Sequence, residues 1–150
     1  LGKSDATVIG PDEGERFQVG PLAIRTLVPG PAAGGAFEMH EIALGVATVD
    51  YQVHDRMDET IHVLEGEIEF VVAGESFVKP AGSVAFVPRG IHHGFSNRGP
   101  AQAKVVIVFS PNGDQHGYFR ALESALASGY ASAIPELQAK YDQVLIPPGT

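Results

Sequence analysis

Punctuation by glycine and proline limits this chain more than any other feature. The 150 residues include 18 Gly and 11 Pro, which recur heavily before residue 110. Between them lie short runs of β character: "ATVI" (6–9), "ERFQV" (15–19), "LAIRTLV" (22–28), "AFEMHEIAL" (36–44), "ATVDYQVH" (47–54), "TIHVLEG" (60–66), "EIEFVV" (67–72), "ESFVK" (75–79), "SVAFV" (83–87), "HHGFSN" (92–97) and "AKVVIVF" (103–109). No 3.6-residue apolar period appears among them, so a βαβ array is excluded. Short strands separated by turn signals predict an all-β sandwich or barrel. "EGE" (65–67) and "AGE" (73–75) predict tight turns between paired strands.

The pattern changes after "SPNGD" (110–114). Asp114 is placed to cap a helix. Beyond it, Tyr118, Phe119, Leu122, Ala125 and Leu126 share one helical face, and Gly129 ends the run. A second short helix is expected near Pro135, because proline suits a first helical turn. The tail "LIPPG" must run extended. These last forty or so residues are too few for a core of their own. The chain is therefore read as one domain over 1–150, with a barrel core at about 15–110 and a helical extension at about 114–145.

A net charge of −8 argues against nucleic acid and anionic membrane as partners, since both need a basic face. With no cysteine, disulfides, zinc ribbons, iron–sulfur clusters and thiol nucleophiles are excluded, so any metal must rest on His, Asp, Glu or weaker oxygen donors. No run reaches membrane-spanning length and no signal segment opens the chain, so the expected location is cytoplasmic. Leu1 in place of Met fits a trimmed start.

Strand alternation then organises the chemistry. In "TVDYQVH", Asp50, Gln52 and His54 share one face and Val49, Tyr51 and Val53 the other. Glu59 opens the next strand after a four-residue loop. If the two strands pair antiparallel, Glu59 lies beside His54. In "GSVAFVPRGIHHGFSN" (82–97), "PRG" makes a tight turn, and one of His92 and His93 faces the interior.

Both stretches resemble the paired motifs of the cupin superfamily. The second fits throughout: Gly82, Pro88-Arg89-Gly90, His93 and Asn97. The first has Gln52-Val53-His54 where the family has His-x-His, then Glu59 and Gly66. "GGAFEMHEIAL", "HDRMDETIHVLEGEIEF", "FVPRGIHHGFSN", "FSPNGDQHGYFRAL" and "YDQVLIPP" resemble the small quercetin-dioxygenase-like cupins more closely still. The resemblance implies a cupin β-barrel (double-stranded β-helix, or jelly roll) with short C-terminal helices, a homodimer, and a metal in the cavity near positions 52, 54, 59 and 93.

His54, Glu59 and His93 make a two-histidine, one-carboxylate set that suits Fe(II), with Mn, Ni, Co or Zn as substitutes. Gln52 has three readings. It ligates weakly through its amide oxygen, or it stands off the metal and bonds water, dioxygen or substrate, or it marks a weakened site. Polar contact near the metal is preferred. Glu59, Gln52 and His40 are the catalytic candidates; His40 reaches the cavity if Ile42 and Leu44 on its face point inward. His62 and His92 are expected outside, and His116 at the cavity mouth if the first helix is a lid. Ile61, Phe70, Phe95 and Phe109 are expected to line an apolar pocket. The function this implies is a metal-dependent oxygenase acting with O2 on a small, mostly apolar, aromatic or enolic molecule. The alternatives are a non-redox isomerase, cyclase or lyase, and a binding module with a weak or empty site.

Overall fold

The computed structural model describes residues 6–146, so Leu1 and the Pro147–Gly149 part of the tail lie outside the described residues. In chain order the elements are β1 (Arg16–Val19), β2 (Leu22–Val28), β3 (Glu38–Leu44), β4 (Ala47–Val53), β5 (Asp58–Glu65), β6 (Glu67–Val72), β7 (Glu75–Pro80), β8 (Val84–Val87), β9 (His93–Asn97), β10 (Ala103–Ser110), α1 (Gln115–Ala127), α2 (Ile134–Lys140) and β11 (Val144–Leu145). The strands form two antiparallel sheets, one ordered β1-β2-β3-β10-β5-β8 and the other β11-β4-β9-β6-β7. The expected all-β barrel with short C-terminal helices is what forms. "ATVI" is not a strand: Val8 is 94% exposed and pairs with nothing among the described residues.

Alternation builds the interior. In β3 and β10 every second side chain is buried, which aims Ile42, Leu44, Val105 and Ile107 inward. Burying a Val, Leu or Ile side chain stabilises by about 1.5–3 kcal/mol. "AGE" is a hairpin turn as expected: Ala73 (φ 50°) and Gly74 (φ 81°) join Val72 to its partner Glu75. "EGE" is not. Glu65 closes β5 in one sheet and Glu67 opens β6 in the other, so Gly66 passes the chain between sheets. A Cβ on Gly66 would stand 2.8 Å from the Gln102 carbonyl oxygen, which bars other residues there.

Simple alternation fails in β4. Its ladder with β9 slips between Val49 and Gln52. A bulge of this kind re-aims side chains. Val49 and Gln52 both reach the cavity, and Asp50 turns outward, against the expectation that it shares the Gln52 face. Gly94 in β9 permits the bulge, because a Cβ there would meet the Val49 carbonyl oxygen at 2.9 Å.

Asp114 caps α1, its carboxylate accepting from the Gly117 N–H at 3.1 Å, and Gly129 (φ 76°) follows the helix end. Tyr118, Phe119, Leu122 and Ala125 are buried as expected, but Leu126 is exposed. The stripe against the barrel is filled by the first four, and Leu126 lies one helical step to its side. After α2 the chain returns to the barrel, and β11 extends the second sheet by pairing with Gln52 and Val53. No helix among the described residues is long and apolar enough to cross a membrane.

Candidate metal centre

His54 directly follows β4, Glu59 lies in β5 and His93 opens β9. Strands β4 and β5 belong to different sheets and do not pair, so antiparallel pairing is not what brings Glu59 to His54. Residues 55–58 carry the chain across the barrel, and Glu59 meets His54 from the opposite wall. His93 comes alongside through its ladder pairing with Gln52. Each of the three is 2% exposed. Arg89 in the "PRG" turn anchors the crossing by donating its backbone N–H and Nε–H to Asp58 Oδ1, and the Gly90 N–H donates to the His54 carbonyl at 2.7 Å.

The hydrogen bonds set the tautomers. His54 Nδ1 donates to the Asp142 carbonyl at 2.8 Å, and His93 Nδ1 donates to the Ile91 carbonyl at 3.0 Å. A carbonyl only accepts, so each ring must carry a proton on Nδ1. Each Nε2 then faces the same atom, Glu59 Oε1, at 2.9 Å for His54 and 3.0 Å for His93. In neutral rings these nitrogens are bare acceptors opposing a carboxylate oxygen. Either protons or a cation must occupy the space between them. One ligand atom from each residue lies within 4.8 Å of the others, as a shared metal requires. Burial alone would raise the Glu59 pKa, but hydrogen bonds from His54 and His93 outweigh it and hold the carboxyl down at about 2. Burial disfavours charge on His54, yet its bonds to Glu59 and the Asp142 carbonyl push its pKa above the ordinary value. The donor set fits a divalent transition metal.

Residues 38–109 match the family model described as "Cupin domain". The fold is a cupin fold. Similar solved structures include KdgF from a Halomonas species (18% identity, 74% of this chain and 98% of that one, TM-score 0.66). The polyketide cyclase RemF from Streptomyces resistomycificus also matches (20% identity, 71% and 80%, TM-score 0.63). So does a sugar phosphate isomerase of the cupin superfamily from Silicibacter pomeroyi (23% identity, 71% and 76%, TM-score 0.62). At such identities the likeness is one of fold. No curated protein matches the sequence.

Next to the triad, the cupin barrel holds a cavity of about 120 Å³. Gln52, His54 and Glu59 line it, with Phe95 and Phe109 among its apolar walls. Gln52 is buried and its side chain faces the cavity. Ile61 and Phe70 are core residues off the cavity wall: Ile61 lies one alternation beyond Glu59, and Phe70 packs behind Phe95 at 6.3 Å between ring centroids.

His40 is also off the wall, contrary to the expectation that it reaches the cavity. Its Nε2 donates to Glu38 Oε1 at 2.7 Å and its Nδ1 pairs with the Thr26 hydroxyl at 3.1 Å, so both nitrogens are committed. Phe119 and Phe109, both on the cavity wall, pack against its ring at 5.0 and 6.0 Å between centroids. Burial alone would raise the pKa of Glu38, but His40 and backbone N–H groups bring it below the ordinary value. Those N–H groups belong to Gly113, Gln115 and His116, so Glu38 tethers the start of α1. His62 is exposed as expected, and His92 stacks on Tyr51 at 5.9 Å, away from the cavity. His116 bonds Glu15 on the outer side of α1 and does not line the cavity.

The sequence reading missed Asp142, Gln143 and Gln115. The first two lie in "YDQVL", a polar pair before an apolar one, and nothing in its spacing marks it as part of a site. Its function depends on β11 returning to β4.

Proposed function

We propose that this cupin is a metal-dependent enzyme whose triad of His54, Glu59 and His93 holds a divalent metal, with a small, mostly apolar substrate in the adjoining cavity. The observation that carries it is the convergence of two Nε2 atoms, each ring locked at Nδ1 by a carbonyl, on one carboxylate oxygen. Two histidines and one carboxylate leave coordination positions open, the ligand count used by non-haem Fe(II) oxygenases. A metal bound there would supply Lewis acidity and, as Fe(II), redox chemistry with dioxygen. The chain's own contribution is orientation: Gln52 offers an amide beside the open positions, and Phe95 and Phe109 exclude water. We therefore place the reaction first as a quercetin-dioxygenase-like oxygenation of an aromatic or enolic molecule. Glu59 either ligates the metal or serves as base toward a substrate hydroxyl, and the protein is proposed to act as a homodimer.

A second reading is a non-redox isomerase, cyclase or lyase. It is favoured by the nature of the neighbours, among them a polyketide cyclase and a sugar phosphate isomerase. Anaerobic loading with Fe(II), Mn(II), Co(II) or Ni(II), followed by oxygen-electrode assays with phenols, catechols and enolisable diketones, separates the two. Oxygen uptake supports the first, and turnover under strict anaerobiosis supports the second. Failure of every metal to bind overturns both.

A further inference from the structure

The C-terminal return to the barrel adds a second polar element to the cavity. Gln115, at the start of α1, is fully buried. Its Nε2 donates to the Tyr141 carbonyl at 2.9 Å and to the Gly113 carbonyl at 3.3 Å. Both acceptors are carbonyls, so the orientation of this amide is fixed by elimination. Its Oε1 is then an acceptor, and Gln143 Nε2 donates to it. That bond fixes Gln143 in turn: nitrogen toward Gln115, oxygen away. Among the described residues Gln143 Oε1 has no protein donor, and no buried side-chain oxygen or nitrogen is left unpartnered. Gln143 is 6% exposed and lines the cavity, so its oxygen opens onto that space.

The remaining wall restricts the ligand further. Its polar side chains are Gln52, His54, Glu59, Gln115, Tyr118 and Gln143; the rest is apolar, and no Lys or Arg is among them. A carboxylate or phosphate inside would meet a carboxylate and an amide oxygen with no guanidinium or ammonium to pair with. The size of the cavity, about 120 Å³, suits roughly one six-membered ring, since a dry cavity of about 150 Å³ admits benzene.

We infer that Gln143 is a specificity-determining residue: its amide oxygen, oriented by Gln115, accepts a hydrogen bond from a hydroxyl on a neutral, single-ring ligand. Where the reacting end of that ligand lies rests on the metal-centre proposal; the contact with Gln143 does not require a metal.

The test is calorimetric titration of the full chain, metal-free and Zn(II)-loaded, with phenol, anisole and benzoate. Phenol should bind the metal-free protein about tenfold more tightly than anisole, which has the ring and the oxygen but no donor. Benzoate should bind the metal-free protein more weakly than phenol. In Gln143→Leu the phenol-to-anisole ratio should fall to about one. Gln143→Met, closer in length and likewise without the amide acceptor, should show the same fall and serves if the Leu variant does not fold. With the metal-free wild-type protein, equal binding of phenol and anisole, benzoate binding as tight as phenol, or no binding of any ring would each overturn the inference. Zn(II) failing to bind while the phenol preference persists would instead overturn the metal-centre proposal and leave Gln143 in its role.

Discussion

Replacing Asp142 tests whether the C-terminal segment is part of the metal centre or only packs near it. Asp142 sits at φ 63°, a left-handed conformation that Asp and Asn tolerate better than Ala. Its carboxylate accepts from the Asp55 N–H at 2.9 Å and the Arg56 N–H at 2.8 Å, in the loop leaving His54. Its carbonyl accepts from His54 Nδ1. Hydrogen bonds to a charged group contribute about 1.5–3 kcal/mol each. Asp55 and Arg56 are exposed, so the lower end applies. Left-handed strain on Ala adds about 1 kcal/mol. Asp142→Ala should therefore destabilise by about 4 kcal/mol, a fall of about 10 °C in Tm for a chain of this size. The carbonyl that accepts from His54 Nδ1 stays in the variant and only its placement loosens, so the cost should sit near the low end of the roughly 10–100-fold that loss of an orienting partner brings to metal affinity. Asp142→Asn keeps an acceptor and tolerates the backbone, so it should lose about 1–2 kcal/mol and less than tenfold in affinity. Thermal melting and Co(II) titration by visible absorption measure the two effects. An Asp142→Ala protein that melts early but binds Co(II) like wild type would show that the segment does not orient His54.

Metal titration should also separate the first-motif glutamine from the triad: His93→Ala loses the metal, whereas Gln52→Ala keeps most of the affinity and changes turnover. Equal loss in both would make Gln52 a ligand. The Glu59 carboxyl has a folded pKa of about 2 against an ordinary 4.5, so the unfolded chain binds its proton more tightly. The stabilisation is present above pH 4.5 and is lost as pH falls toward 2, in total about 3 kcal/mol. Urea unfolding of the metal-free protein across that window should show the loss, and Glu59→Gln should flatten it. Glu38→Gln should cost about 3 kcal/mol, because it removes the buried charge facing His40 and three N–H groups at the start of α1. Amide hydrogen exchange at residues 115–119 should speed up in that variant, and unchanged exchange would show that Glu38 does not hold the helix.

Much of the fold was legible because it depends on local pattern. Alternation in β3 and β10, the Ala73-Gly74 turn and the Asp114 cap are all properties of neighbouring residues. The misreadings share one cause, which is that pairing is non-local. Gly66 looks like a hairpin turn in sequence, and only the sheet order shows that it joins two sheets. His54 and Glu59 come together as expected, but across the barrel rather than along a ladder. Asp50 was misplaced because a bulge opposite Gly94 breaks the period of two. His40 is buried, yet burial is not access: Phe109 and Phe119 pack against it and line the cavity where it does not.

The site is assembled from parts that are distant in the chain. His54 comes from the end of β4, Glu59 from the facing sheet, and His93 from β9. Residue 142, far along the chain, fixes the His54 tautomer. None of these contacts can exist in an unfolded chain, so metal affinity and folding stability must be linked. A metal that binds only the native barrel at a hundred times its Kd stabilises it by about 2.7 kcal/mol. The same linkage bears on Gln52. A third imidazole would tighten the site, but it would occupy the position from which an amide can both donate and accept. With no Lys or Arg on the wall, Gln52 and Gln143 are neutral hydrogen-bonding groups that an oxygen-bearing ring meets as it enters. On this account the glutamine in the first motif exchanges metal affinity for recognition of a neutral ligand. Gln52→His should therefore bind Co(II) more tightly than the wild-type protein in the same titration.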